Sequence, residues 1–380
     1  MKLSISFFAT ALSLLISTSS LRAEKQWVYF GTAGGDAKGI YVSSFDSENG
    51  ELSEAKLASE ANRPGFLAIH PNHQYLYAIA SAIPGHEAKE TGGLSAYTIN
   101  AKTGELTLIN QQPSGGRGPC HVSLDHKGRV ALVANYSGGS TSSIGINSDG
   151  SLKKPASFFQ HEGSSVNEKR QKGPHAHSAN PGPNDKFAFV ADLGLDKVMI
   201  YKLDPSTAKM EKHGAGIVPP GSGPRHFAFH PNGKWAYTNG EMLMTVTGFN
   251  FDPDKGTLTP FQTIGTVPEG IDFTGLSTAE VQVHKSGKFL YVSNRGHDTI
   301  AVYTINPASG QLTFVERENI QGETPRNFGI DNTGKFLLAA GQKSHTIAVF
   351  KINQKTGELD FTGNKIKVPT PICVKFLDKK

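Results

Sequence analysis

"GSGPRHFAFHPNGKWAYTNGE" runs from Gly221 to Glu241. Two stretches rich in apolar residues flank the tight turn His-Pro-Asn-Gly-Lys, a pattern that predicts a β-hairpin. Arg225 stands at its start and Glu241 at its end. The first strand runs away and the second returns, so both charges gather at one end of the hairpin.

The turn and second strand recur along the chain as "HPNHQYLYAIA", "DHKGRVALVAN", "GPNDKFAFVAD", "HKSGKFLYVSN" and "DNTGKFLLAAG". A third strand recurs as "GIYVSSFD", "GLSAYTIN", "KVMIYKLD", "TIAVYTIN" and "TIAVFKIN", and a fourth opens with segments such as "TGELTLI" and "SGQLTFV". Asn, Gly and Asp supply the special backbone angles of the turns. Anchored at Pro64, Pro119, Pro174, Pro224, Ala279, Pro325 and Pro371, the repeats lie 46 to 55 residues apart. Four strands at such a period predict propeller blades, whose repeats run about 40–50 residues. The first repeat, near Trp27 to Ala58, lacks a first strand, and "TPICVKFL" (Thr370 to Leu377) is a first strand with nothing after it. Joined, they make a seventh blade and remove an open edge. The expectation is an all-β, seven-bladed propeller of four-stranded antiparallel blades, its ring closed by the C-terminal strand in the N-terminal blade. A two-domain β-sandwich explains neither the period nor the matching end fragments.

Composition agrees. The chain has 380 residues with 42 Gly and 21 Pro, which suits many short strands and turns. Net charge is +5, but no Lys/Arg run makes a nucleic-acid patch. Lys2, the apolar "LSISFFATALSLLIS" and then "TSSLRA" read as a secretory signal peptide cut after Ala23. The expected mature chain, residues 24–380, is one exported domain, periplasmic or extracellular, with no membrane segment. The two cysteines, Cys120 and Cys373, fall in different repeats and read as buried thiols rather than a bridge.

The residue after each anchor gives Gly65, Cys120, His175, Arg225, Glu280, Arg326 and Ile372. In a propeller these positions form a ring at one mouth of the central channel. A purely structural ring is more often small or apolar, whereas this one carries a histidine, two arginines and a glutamate on consecutive blades. Arg295 ends the hairpin that begins near Glu280, as Glu241 ends that of Arg225. In "GPHAHSA", His175 and His177 are two residues apart, so on a strand they face one way, and imidazole suits a general base near neutral pH. Salt bridges bracing adjacent blades are the structural alternative, but partly exposed pairs add little stability.

At "GPHAHSA", "GSGPRHFAFHPNGKWAYTNGE", "AEVQVHKSGKFLYVSNRGHDTIAVY" and "ETPRNFGIDNTGKFLLAAGQKSHTIAVF" the chain resembles the propeller-type 6-phosphogluconolactonase family, also called the cycloisomerase 2 family. That family includes carboxy-muconate lactonising enzymes. The resemblance spans about Trp27 to Phe376. It implies lactone chemistry with no cofactor and no required metal, on a small-molecule and anionic lactone. It carries catalytic roles onto His177, Glu241, Arg225 and Arg295, with His175 an alternative to His177, and makes His226, Glu280 and Arg326 substrate-binding neighbours. The implied reaction has His177 or Glu241 activating water, while Arg225 or Arg295 stabilises the oxyanion or holds a substrate anion. Three other readings use the same face: a muconate-type cycloisomerase, a non-catalytic binding propeller, and a metal-dependent lactonase. Zinc on His175 and His177 would sit beside opposing arginines.

Overall fold

The computed structural model describes residues 25–379 apart from Ala88. The proposed signal peptide lies outside the described residues. Among them there are seven antiparallel sheets and no helix. Six sheets are each built from four consecutive strands, for example Pro224–Phe229, Trp235–Gly240, Thr245–Asp252 and Thr257–Gly265. The seventh joins the two ends: Pro371–Asp378 pairs antiparallel with Lys25–Thr32, placing Phe30 opposite Val374. Its outer strand is broken into Glu51–Leu52 and Lys56–Glu60, so this sheet counts five strands.

Burial explains the strand sequences. Four second strands, Val130–Asn135, Phe187–Asp192, Trp235–Gly240 and Phe336–Gly341, are buried at every residue because blades cover both faces. Their near-continuous apolar runs follow from that. Outer strands such as Leu152–Gln160 alternate toward solvent. The turn between first and second strands repeats one device. Its fourth residue has positive φ in six blades: His73, Gly128, Asp185, Gly233, Gly287 and Gly334. Glycine is free there, and His and Asp tolerate it.

A second device ties blade to blade. The buried tyrosine of a second strand donates its hydroxyl to a glycine carbonyl in the neighbouring blade's last turn. Tyr29 reaches Gly104 at 2.9 Å, Tyr77 reaches Gly150 at 2.9 Å, Tyr237 reaches Gly310 at 2.6 Å and Tyr291 reaches Gly357 at 2.8 Å.

The first strands carry a bulge at one end. Pro119 faces Asn135 but His121 faces Ala134, leaving Cys120 extra. His177, Arg326 and Ile372 are extra in the same way. In two blades the bulge is larger, with Arg225 and His226 opposite Asn239, and Ala279 and Glu280 opposite Ser293. A bulge re-aims side chains at a sheet end, and here it turns them toward the channel mouth.

This register corrects two positions of the expected ring. Ala176 opposite Asp192, and Thr278 opposite Asn294, are the equivalents of Pro224 opposite Gly240. The ring holds His177 rather than His175, and Ala279 rather than Glu280. Glu280 joins a deeper tier with Phe66, His121, His226 and Asn327. Pro174 misleads because it precedes its strand, which begins at Ala176. The fifth repeat has Ala279 in place of an anchor proline to fix its register.

Ring closure predicts that a chain ending before Pro371 loses the first strand of one blade and exposes an apolar edge around Val28 and Phe30. Thermal unfolding followed by circular dichroism should lose its single cooperative transition. A truncated chain that melts as the full chain does would show that closure is dispensable.

Candidate functional site

Pairing of Pro224 with Gly240 sets Arg225 beside Glu241, although they are far apart in sequence. Arg225 Nε lies 3.0 Å from Glu241 Oε2, and Arg295 Nη2 lies 3.1 Å from the same oxygen. A third arginine, Arg170, reaches Glu241 Oε1 at 2.8 Å from the loop before Ala176. Glu241 and Arg225 are buried, at 5% and 2% exposure. Burial alone would raise the Glu241 carboxyl. The Arg295 and Arg225 guanidiniums, with Arg170, override it and hold the group at about 2. Burial, with Arg295 and Arg326 nearby, pushes Arg225 down to about 9, which leaves it charged at neutral pH. Glu241 is therefore a fixed anion whose oxygens are already engaged, and a poor base.

Arg225 is also held from below. Its Nη1 donates to the Ala279 carbonyl and to His226 Nε2, the latter at 3.1 Å. His226 Nδ1 lies 2.9 Å from Glu280 Oε2, which also accepts from Asn327. Burial raises Glu280 to about 7 and drives His226 well below the usual imidazole value. Three imidazoles meet here: His226 lies edge-on to His121 at 5.3 Å and to His177 at 5.5 Å.

His177 is buried, and its ring edges Tyr136 at 5.0 Å. Burial, then Arg225 and His226, keep it well below the ordinary histidine range, so it is neutral and able to accept a proton. His175 stacks on Tyr136 at 4.7 Å and its Nδ1 lies 3.1 Å from the Tyr136 carbonyl. Both histidines thus flank one tyrosine, but only His177 lines the cavities. Cys120 and Cys373 are free thiols, as expected from their separate repeats. Burial pushes Cys120 up to about 12, so it is no nucleophile.

Two adjoining cavities open at this face. One, of about 430 Å³, is lined by Arg225, His226, His177, Arg326 and Phe66, among others. The other, of about 530 Å³, is lined by Tyr136, Arg170, Glu241 and Arg295, and shares His177, Cys120, Arg63 and Arg326 with the first. Glu280 lines neither, and its carboxylate is committed to His226 and Asn327. His177, Arg225, His226, Glu241, Arg295 and Arg326 converge on the two cavities, with His175 behind Tyr136. Sequence reasoning missed Arg170, Tyr136, Arg63 and His121. The polar loop "EGSSVNEKRQKG" was a visible signal for Arg170, whereas nothing local marks Tyr136 or Arg63. Among the described residues no group of three or more His, Cys, Asp or Glu side chains is placed to hold a metal.

The shared carboxylate predicts the result of Glu241→Gln. Three guanidiniums lose their anion, and breaking a buried pair costs about 3–5 kcal/mol. The melting temperature should fall and be partly restored by sulfate. An unchanged melting temperature would mean that the arginines do not depend on this charge.

The chain matches the family described as "Lactonase, 7-bladed beta-propeller" over residues 27–376. It is 38% identical to a 6-phosphogluconolactonase of Bacillus subtilis over 351 residues, covering 92% of this chain and 97% of that protein. A 6-phosphogluconolactonase of Formosa agariphila is 35% identical over 301 residues, 77% of this chain and 82% of its own length. Among solved structures, the periplasmic gluconolactonase of Pseudomonas aeruginosa superposes with a TM-score of 0.87 at 31% identity, covering 94% of this chain and all of that one. With its seven blades and a site on one mouth of the ring, the chain belongs to the seven-bladed β-propeller lactonase family.

Proposed function

We propose that the protein hydrolyses a sugar-acid lactone, 6-phosphogluconolactone or a related anionic or unphosphorylated aldonolactone. The observation that carries this reading is Arg225 and His177 on the wall of one cavity. Arg225 Nε faces Glu241 as an ion pair without a hydrogen bond, Nη1 is engaged by His226 and the Ala279 carbonyl, and no hydrogen bond engages Nη2 among the described residues. That nitrogen is the donor for the oxyanion. His177 takes a proton as water adds to the lactone carbonyl. The ring C–O bond then breaks, and the leaving alkoxide takes the proton back from the imidazolium. No carboxylate pairs with Arg326 among the described residues, and Arg326 lines both cavities, so it suits a substrate anion. An anion there and on Arg225 would relieve the positive field that depresses His177, making it a better base once substrate is bound.

Glu241 then fixes the arginines rather than activating water. His175, stacked on Tyr136, supports the wall. The cycloisomerase and pure binding readings draw on the same residues, but the named relatives are lactonases. The start of the chain, from Lys2 to Ala23, and the likeness to a periplasmic gluconolactonase support export to the periplasm or beyond. Export favours an unphosphorylated lactone as the physiological substrate.

The Arg225→Ala variant tests the oxyanion role. Acid release from gluconolactone and 6-phosphogluconolactone, corrected for spontaneous hydrolysis, should fall about 10²–10³-fold in kcat. Retained turnover would remove Arg225 from the chemistry, and no wild-type turnover on either lactone would turn the reading toward cyclisation or binding. The pH profile tests the base. The acid limb of kcat/KM reports the free enzyme. With His177 depressed, activity should hold through pH 6.5 and decline only below it. A limb at or above 6.5 would rule out His177 in this environment.

A further inference from the structure

Glu280 and His226 are ionisable and almost fully buried, and Glu280 lines neither cavity. Their contacts run in one direction. Glu280 Oε2 lies 2.9 Å from His226 Nδ1, and Arg225 Nη1 lies 3.1 Å from His226 Nε2. A carboxylate on one side requires Nδ1–H, and a guanidinium donor on the other requires a bare Nε2. These two demands select the same tautomer. Other contacts hold the pair still. Asn327 donates to Glu280 Oε2 and accepts from the Val374 backbone N–H at 2.9 Å, so the closing strand also fixes the carboxylate. His226 N–H donates to Asn239 Oδ1 at 3.0 Å, and the Glu280 N–H donates to Ser293 Oγ at 3.0 Å.

We infer that Glu280 and His226 form a buried positioning pair which locks His226 as the Nδ1–H tautomer and thereby holds Arg225 with Nη2 facing the lactone. The opposite tautomer would aim an N–H at the guanidinium, and Arg225 Nη1 would swing off His226 Nε2. The pair crosses from one blade to the next, so it also sets the distance between them at the reaction centre. This inference rests on the proposed oxyanion role of Arg225 for its effect on rate, but the tautomer itself is independent of any reaction.

Two experiments on the full chain test it. Glu280→Met removes the acceptor at nearly constant size, while Glu280→Gln keeps a carbonyl oxygen that can accept from Nδ1–H. Loss of one oriented hydrogen bond to a charged group corresponds to about 10- to 100-fold in kcat. The Met variant should show that loss with KM changed less than about threefold, and the Gln variant should recover most of the rate. Equal rates in Glu280→Met and wild type would overturn the inference, as would a Gln variant as slow as the Met one. Where the Met variant does not fold, long-range ¹H–¹⁵N spectra of histidine-labelled wild-type protein decide. The His226 signals, assigned with His226→Gln, should report Nδ1–H at neutral pH. An Nε2–H tautomer overturns the inference. Should the wild type turn over neither lactone, the reaction reading fails while the tautomer still decides the positioning pair.

Discussion

One carboxylate carries three guanidiniums. Glu241 lines one of the two cavities, within 3.1 Å of Arg170, Arg225 and Arg295, which come from three separate segments of the chain. Concentrating like charges in a buried place is costly unless each is paired and hydrogen-bonded. Glu241 supplies part of that compensation, and the channel tier supplies the rest through His226, Glu280 and the Ala279 carbonyl. Net positive charge is left over at the mouth, where Arg326 and Arg63 add to it. That surplus is what an anionic substrate or a developing oxyanion can use.

The scaffold meets the geometric demand by repetition. Six of the first strands enter the channel mouth through a bulge, and the larger bulges at Arg225–His226 and Ala279–Glu280 present two side chains where the other four present one. The enlarged bulges place Arg225 with His226, and Ala279 with Glu280, while His177 and Arg326 come from single-residue bulges. Tyrosine-to-glycine hydrogen bonds between blades, and the pairing of the two chain ends, hold these bulges at fixed distances. A site assembled from consecutive blades needs that rigidity, because its key contacts, such as Arg225 to Ala279 and His226 to Glu280, cross blade boundaries.

Much of the site was legible from local pattern. The hairpin from Gly221 to Glu241 puts Arg225 and Glu241 together whatever surrounds it, because antiparallel pairing makes the first and last residues neighbours. Arg295 follows by the same logic one blade later. His175 and Glu280 were less secure. A bulge changes the count of residues along a strand, and the count is what a sequence period relies on. Pro174 imitated an anchor that the backbone places at Ala176, so the ring position passed to His177.

The sequence by itself determined the architecture: seven repeats, four strands each, and two end fragments that complete one blade. Periodic burial and turn chemistry are local and additive, so they can be read along a single chain. The tertiary structure decided which charges meet. Glu241 takes Arg170 from a loop more than seventy residues earlier in the chain, and Glu280 turns away from the cavity to His226 and Asn327. Those contacts depend on distances between blades and on which side of a bulge a residue falls. The same is true of protonation, since Glu241 is held near 2 and Glu280 raised to about 7 by surroundings that no stretch of sequence contains.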